Sequence, residues 1–323
     1  MGKEDAIFCM SGVLSQNIAA KIHHSVRKDD CTNSFICHHS SHLLLHEKEA
    51  FSSLLNLDAV VVQSSPEAMF QQPLMYNDVV VHLDAEPKPF MLIVECPHRE
   101  IGGKITPWED LVKMSEHCRR KGIAFHCDGA RIWEAEAAYT ADGIRTFHEF
   151  CSIFDSIYVS FYKGLGGVTG AMLLGTNAFV DEARVWSRRF GGNLYCQLPF
   201  AVSCWRGFEA NSPSDFSCRL AKLKSVVAAL TAESVTNFDG ILEFDPPDPV
   251  VSMIHVYLHA SAADACKARD LAFAETGISC FARTRPFVSP AHSQKTWIEL
   301  NMVCHKCVFK MIISLLRSTI IIL

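Results

Sequence analysis

The chain lacks several things at once. It has no long run of one charge, no low-complexity tract, no internal repeat and no basic N-terminal segment leading into an apolar core. These absences exclude a disordered interaction tail, a solenoid and a secretory signal in turn. Met1-Gly2 opens the pattern of an N-myristoylation site, but Ala6 stands where that pattern prefers Ser or Thr. Charge is close to balance, with 30 Lys and Arg against 35 Asp and Glu, which gives no footing for nucleic acid or an anionic membrane. Long apolar runs are also missing. The mostly apolar end, residues 308–323, is broken by Lys310, Ser314, Arg317, Ser318 and Thr319, short of the roughly 20 residues that span a bilayer. A membrane partner is not expected, and an altered or alternatively spliced end accounts for the stretch as well. The 14 cysteines have no framework of spacings, which reads as reduced thiols in a cytoplasmic setting.

What is present is an ordinary globular composition, 49% hydrophobic and 20% charged over 323 residues, enough for a large domain and a smaller one. Short apolar runs at 6–10, 59–63, 79–83, 90–95, 123–127, 156–161 and 171–175 read as strands. Amphipathic stretches such as 108–121 and 177–189 separate them as helices. That alternation predicts an α/β fold with a mostly parallel sheet flanked by helices. The pattern changes near Asn211 to a long helix (215–233), then strands at 241–244, 251–258 and 297–302 and a helix at 262–276. The expected domains are therefore 1–210, large, and 211–323, a smaller C-terminal α+β domain.

Two strand ends carry chemistry. One run ends in His126-Cys-Asp128-Gly-Ala-Arg131, the next in Tyr162-Lys163-Gly-Leu-Gly-Gly. Pyridoxal phosphate needs a lysine for its Schiff base and an aspartate to keep its ring nitrogen protonated. An arginine can hold an amino-acid carboxylate with two parallel hydrogen bonds. Either motif alone is as well explained by a solvated loop lysine or an Asp-Gly turn; the two in order are more specific. A third strand end, Met10-Ser11-Gly12-Val13, passes into a helix whose free N–H groups would suit a phosphate.

With these stretches, and with Ile36-Cys-His-His-Ser-Ser-His42 and Val94-Glu95-Cys-Pro-His98-Arg-Glu-Ile-Gly-Gly103, the chain resembles the threonine aldolase and β-eliminating lyase family of fold-type I pyridoxal-phosphate enzymes. The resemblance runs from about Gly2 to about Gly207 and implies an aspartate-aminotransferase-like large domain. It implies the cofactor pyridoxal 5'-phosphate, a small amino-acid substrate and a homo-oligomer, dimer or tetramer. It implies that Lys163 forms the Schiff base, Asp128 pairs with the ring nitrogen and Ser11, Gly12 and Val13 hold the phosphate. Arg131 would bind the substrate carboxylate. His42 would stack on the ring and share in proton transfer, and His98 would lie near the substrate β-hydroxyl with Glu95 beside it. The reaction implied is aldol cleavage of a β-hydroxy-α-amino acid to glycine and an aldehyde.

Three departures bear on the substrate. The family has a further N-terminal segment that this chain does not show, so a shortened form is expected. Gly191-Gly-Asn-Leu-Tyr-Cys-Gln197 stands where threonine aldolases carry Gly-Gly-Gly-x-Arg-Gln. Lys295 stands where a second arginine would clamp the carboxylate, and a lysine cannot grip it bidentately. Alternatives are β-elimination on the same scaffold, or an impaired homologue acting as partner of a full-length enzyme. The cluster Cys37, His38, His39, His42, His46 and Glu47 would allow a zinc hydrolase, but it lacks a clearly spaced third ligand, and no metal is expected. Cys304 and Cys307 form a lone Cys-x-x-Cys.

Overall fold

The computed structural model describes residues 1–27, 30–63, 70–141, 143–237, 242–277, 281–286 and 296–302. The chain divides into two compact units: Met1–Glu100 with Ile105–Pro213, and Ile101–Lys104 with Ser214–Leu323.

The first unit is built on strands β1 (Asp5–Cys9), β2 (Ser34–His38), β3 (Asp58–Val62), β4 (Met91–Glu95), β5 (Ala124–Gly129), β6 (Ser156–Ser160) and β7 (Ala171–Gly175). Its helices are α1 (Gly12–Ser25), α2 (His42–Leu45), α3 (Ala50–Leu55), α4 (Tyr76–Leu83), α5 (Trp108–Lys121), α6 (Ile132–Tyr139), α7 (Phe147–Ser152), α8 (Asn177–Arg189) and α9 (Leu198–Glu209). The sheet order is β1-β7-β6-β5-β4-β2-β3. Pairing is parallel from β6 through β5, β4 and β2 to β3, and antiparallel on both sides of β7. Only β7 therefore opposes the common direction, and β1 ends at the same edge as the parallel strands.

Strand alternation sorts the sheet's two faces. Ile36, Leu92, Val94, Phe125 and Cys127 pack with α4, α5, α6 and α7. Phe35, Met91 and Ile93 face the other way with Leu55 of α3; Cys9, Ala171 and Leu173 pack against α1 and α8. Every residue of β4 and β6 is buried, as expected of strands covered on both faces. Helix signals are local: Thr176 caps α8 by accepting from Phe179 N–H at 3.2 Å, and Gly122 ends α5 at φ +68°.

One expectation is corrected and one strand is added. The run 79–83 is not a strand but the end of α4. Val79 and Leu83, one turn apart, are buried while Val81 between them is exposed, and Asp78 accepts from Met75 N–H at 3.1 Å to start the helix. The strand β2 was missed because its apolar run is only Phe-Ile-Cys before a polar stretch; pairing on both sides supplies what propensity does not.

In the second unit, β8 (Leu242–Asp245), β9 (Met253–Leu258), β10 (Arg285–Pro286) and β11 (Thr296–Asn301) form an antiparallel sheet in the order β10-β11-β9-β8. It accompanies α10 (Pro213–Asn237) and α11 (Ala262–Thr276), with Leu223, Val226, Leu230, Ile254, Val256 and Ile298 in its core. Among the described residues, no helix is long and apolar enough to cross a membrane. Lys295, Cys304, Cys307 and the stretch 308–323 lie outside the described residues.

Candidate active site

The ends of β1, β2, β4, β5 and β6 carry the sequence-predicted residues to one edge of the first unit's sheet, where parallel sheets bind ligands. Asp128, near the end of β5, is 3% exposed. Its Oδ1 accepts from Ala130 N–H at 3.0 Å and its Oδ2 from the Gln16 amide at 2.6 Å. Burial raises its pKa and Glu95 adds to that, while Lys163 and His42 pull it back. Lys163 follows β6 in a turn closed by Gly166 at φ +75° and by Gly167 N–H donating to the Phe161 carbonyl at 2.7 Å. Burial lowers its amine's pKa, and Asp128 partly restores it. A carboxylate and an amine thus share a poorly hydrated space, each favouring the other's charge.

At the end of β1, Ser11 caps α1, its Oγ accepting from Leu14 N–H at 3.2 Å. Gly12 is required by space: a Cβ there would sit 2.1 Å from the Tyr158 hydroxyl. The first turn of α1 carries no acidic residue, so its positive dipole end faces the site unopposed, with Gly12 N–H on the Tyr162 hydroxyl at 3.4 Å. Val13 is exposed beside it.

After β2 the histidines separate into different environments. His42 Nδ1 lies 3.1 Å from buried Glu47 Oε1, and its backbone N–H donates to Glu95 Oε1 at 2.7 Å. Burial would lower the His42 pKa, but the Glu47 hydrogen bond and the Asp128 and Glu47 charges outweigh it and raise it. His98 Nε2 sits 3.0 Å from Ser40 Oγ, 3.4 Å from the Ser40 carbonyl and 3.7 Å from Glu95 Oε2. Burial pulls its pKa down to about 4. His38 is bound at both nitrogens, to Ser40 Oγ at 2.9 Å and the Gln72 carbonyl at 3.0 Å. His46 pairs with Glu100 at 2.8 Å. Among the described residues, no three His, Cys, Asp or Glu side chains are grouped to hold a metal ion.

Arg131, at the start of α6, donates to buried Glu134 Oε1 at 3.0 Å. In the 191–197 loop Tyr195 is fully exposed and Cys196 exposed. Sequence reasoning missed Gln16, Ser40 and Ser156 and gave Glu47 and His126 no role at the site. The one legible signal was a polar pair, Gln16 and His23, on an otherwise apolar helix face.

This donor set fits pyridoxal phosphate: a helix N-terminus free of acidic side chains for phosphate, a buried carboxylate for a ring nitrogen and a desolvated amine for an aldehyde. Comparison with known proteins agrees with that chemistry. A family model described as β-eliminating lyase matches residues 1–261. The low specificity L-threonine aldolase of Saccharomyces cerevisiae is 31% identical over 194 residues, 60% of this chain and 48% of that protein. The aldolase vrtJ of Penicillium aethiopicum is 31% identical over 199 residues, 60% of this chain and 47% of the relative. The matched part thus spans about half the length of these curated relatives. A solved structure described as an L-allo-threonine aldolase from Listeria monocytogenes EGD-E has a TM-score of 0.84 at 28% identity, covering 100% of this chain and 83% of that one. With the family match running through both strand-end motifs and most of the chain, this protein belongs to the β-eliminating lyase family.

Proposed function

We propose that the chain is a pyridoxal-phosphate-dependent lyase of the threonine-aldolase type, cleaving the Cα–Cβ bond of a β-hydroxy-α-amino acid to glycine and an aldehyde. The observation that carries this reading is the parallel register of β5 with β6, which brings buried Asp128 and the Lys163 turn to the ends of adjacent strands. The threonine aldolases among its relatives support the substrate class.

In this reading Lys163 is a ready nucleophile because burial lowers the cost of its neutral form. Asp128 would pair with the ring nitrogen, Ser11, Gly12 and Val13 would hold the phosphate, and His42 would cover the ring. Arg131 takes the substrate carboxylate, which then competes with Glu134 for the guanidinium. His98 accepts the β-hydroxyl proton. The Ser40 carbonyl beside Nε2 can only accept, so Nε2 carries the ring's hydrogen and Nδ1 is the basic atom. A histidine held neutral by burial is available as a base across the physiological range. Bound pyridoxal phosphate supplies the sink for the electron pair left at Cα. A proton returned to Cα completes glycine, and no redox partner is needed.

β-Elimination uses the same cofactor-facing groups and is favoured by the description of the family model. It yields an oxo acid and ammonia, so product analysis separates the two. We further propose a homo-oligomer. Leu198, Val202 and Trp205, at i, i+4 and i+7 on α9, present one exposed apolar side.

The test is the visible spectrum of protein with added pyridoxal phosphate, wild type beside Lys163→Ala, followed by glycine release from a panel of β-hydroxy amino acids. A band that requires Lys163, with glycine formed, is the expected result. Matching spectra without a band would remove the enzyme reading and favour the impaired homologue.

A further inference from the structure

A row of buried polar side chains runs beneath the site, on the sheet face that packs against α1. Gln16 Nε2 donates to Asp128 Oδ2 at 2.6 Å, and Gln16 Oε1 lies 2.8 Å from His126 Nε2. His126 Nδ1 lies 2.7 Å from Ser156 Oγ, and His23 Nε2 lies 2.6 Å from that same oxygen. The secondary structure sets this line. Gln16 and His23 are two turns apart on α1, His126 and Asp128 alternate onto one face of β5, and Ser156 is the register partner of His126. All five are buried, His126 and Ser156 completely.

The row has a direction. An ionised carboxylate only accepts, so the Gln16 amide nitrogen faces Asp128 and its oxygen faces His126. His126 then carries its hydrogen on Nε2 and must accept at Nδ1. The Ser156 hydroxyl fills that role, so its oxygen accepts from His23 Nε2–H. Burial brings His126 to about 3 and His23 to about 4, so both rings are neutral, as the pattern requires. A proton on Asp128 Oδ2 directed at Gln16 would force the row to reverse, including a flip of the buried Gln16 amide, so the row as drawn keeps Oδ2 an acceptor.

Resting on the pyridoxal-phosphate reading, we propose that Gln16, His126, Ser156 and His23 form a polarised row that holds Asp128 ionised and aimed at the cofactor's ring nitrogen. Gln16 and His126 are then positioning residues, acting through Asp128 rather than on substrate. Burial and Glu95 both push Asp128 toward its neutral form. The Gln16 and Ala130 hydrogen bonds, one to each carboxylate oxygen, oppose them.

Two measurements test this. The first is ¹⁵N NMR of histidine-labelled, cofactor-free protein, with the ¹³C shift of the Asp128 carboxyl. The expected result at neutral pH is an Nε2–H tautomer at both His126 and His23, an ionised Asp128, and, in Ser156→Ala, mixed tautomers at His23 with His126 still Nε2–H. An Nδ1–H tautomer at His126, or a protonated Asp128, overturns the proposal. The second is the pyridoxal phosphate Kd, read from the Lys163-dependent band, for wild type, Gln16→Leu and Ser156→Ala. A weakening of roughly tenfold or more is expected, the size typical of losing a group that orients a ligand-binding side chain, with the far-ultraviolet spectrum unchanged. If Gln16→Leu fails to fold, Ser156→Ala, which removes one hydroxyl, serves in its place. Wild-type affinity in a folded variant overturns the positioning role. A wild type without the band sinks the cofactor reading and that role together, while the NMR still decides the polarity of the row.

Discussion

Helices α1 and α9 depart from the ordinary amphipathic pattern in opposite ways. Helix α1 turns Gln16, Asn17 and His23 inward among Ile18, Ala19 and Ile22, while α9 turns Leu198, Val202 and Trp205 outward. Buried polar side chains persist only where hydrogen bonds replace water, and those of α1 are replaced: Gln16 and His23 by the row to Asp128, Asn17 by the Val13 carbonyl at 2.8 Å. Exposed apolar groups cost little singly, but a continuous side of them is a surface for another molecule. The first departure looks inward to the Asp128 carboxylate, the second outward, where we propose that a second copy of the chain docks.

Acid should break this contrast most severely. The folded-state pKa values of His23 and His126 lie below the ordinary value near 6.5, at about 4 and about 3. The unfolded chain therefore binds more protons, and stability is lost as pH falls below about 6.5. At pH 4 each ring costs about 3 kcal/mol, and His98, also at about 4, adds a similar amount. Urea midpoints followed from pH 7 to pH 4 check this; a flat profile would show that the row is not held neutral. The apolar side of α9 contributes nothing that titrates.

Removing one member of the row should cost less. In Gln16→Ala the His126 Nε2–H loses its acceptor and Asp128 one donor, a loss of about 1–3 kcal/mol, measured by chemical unfolding of the cofactor-free protein. Smallest in stability is Trp205→Glu, within about 0.5 kcal/mol because the side chain is exposed. Its effect should appear in mass by light scattering, as a shift toward monomer. Unchanged mass would leave the outward side of α9 without a partner of its own kind.

Much of the large sheet was legible because its strands are continuous apolar runs and its helices carry caps and stop signals. The exceptions have physical reasons. The stretch 79–83 is apolar enough for either state, and the turn-spaced burial of Val79 and Leu83 chose helix. Strand β2 is nearly invisible as a pattern, because its stability comes from β3 and β4 on either side. At the site, Lys163, Asp128 and Arg131 could be named because they follow readable apolar runs, and His42 and His98 because their stretches resemble the family's. Their partners could not, since Glu47, Ser40, Gln16 and Ser156 are ordinary residues made specific by what they face.

Sequence alone determined that Asp128 and Lys163 close two successive apolar runs, that a Ser11-Gly12 turn follows another, and that the chain carries an amine and an acid suited to one cofactor. These follow from local rules of turns, periodicity and residue type. Only the tertiary structure decided which way each proton points. The direction of the row from His23 to Asp128 depends on atoms 112 and 133 residues apart along the chain, and hydrogen-bond polarity is settled by the nearest acceptor in space.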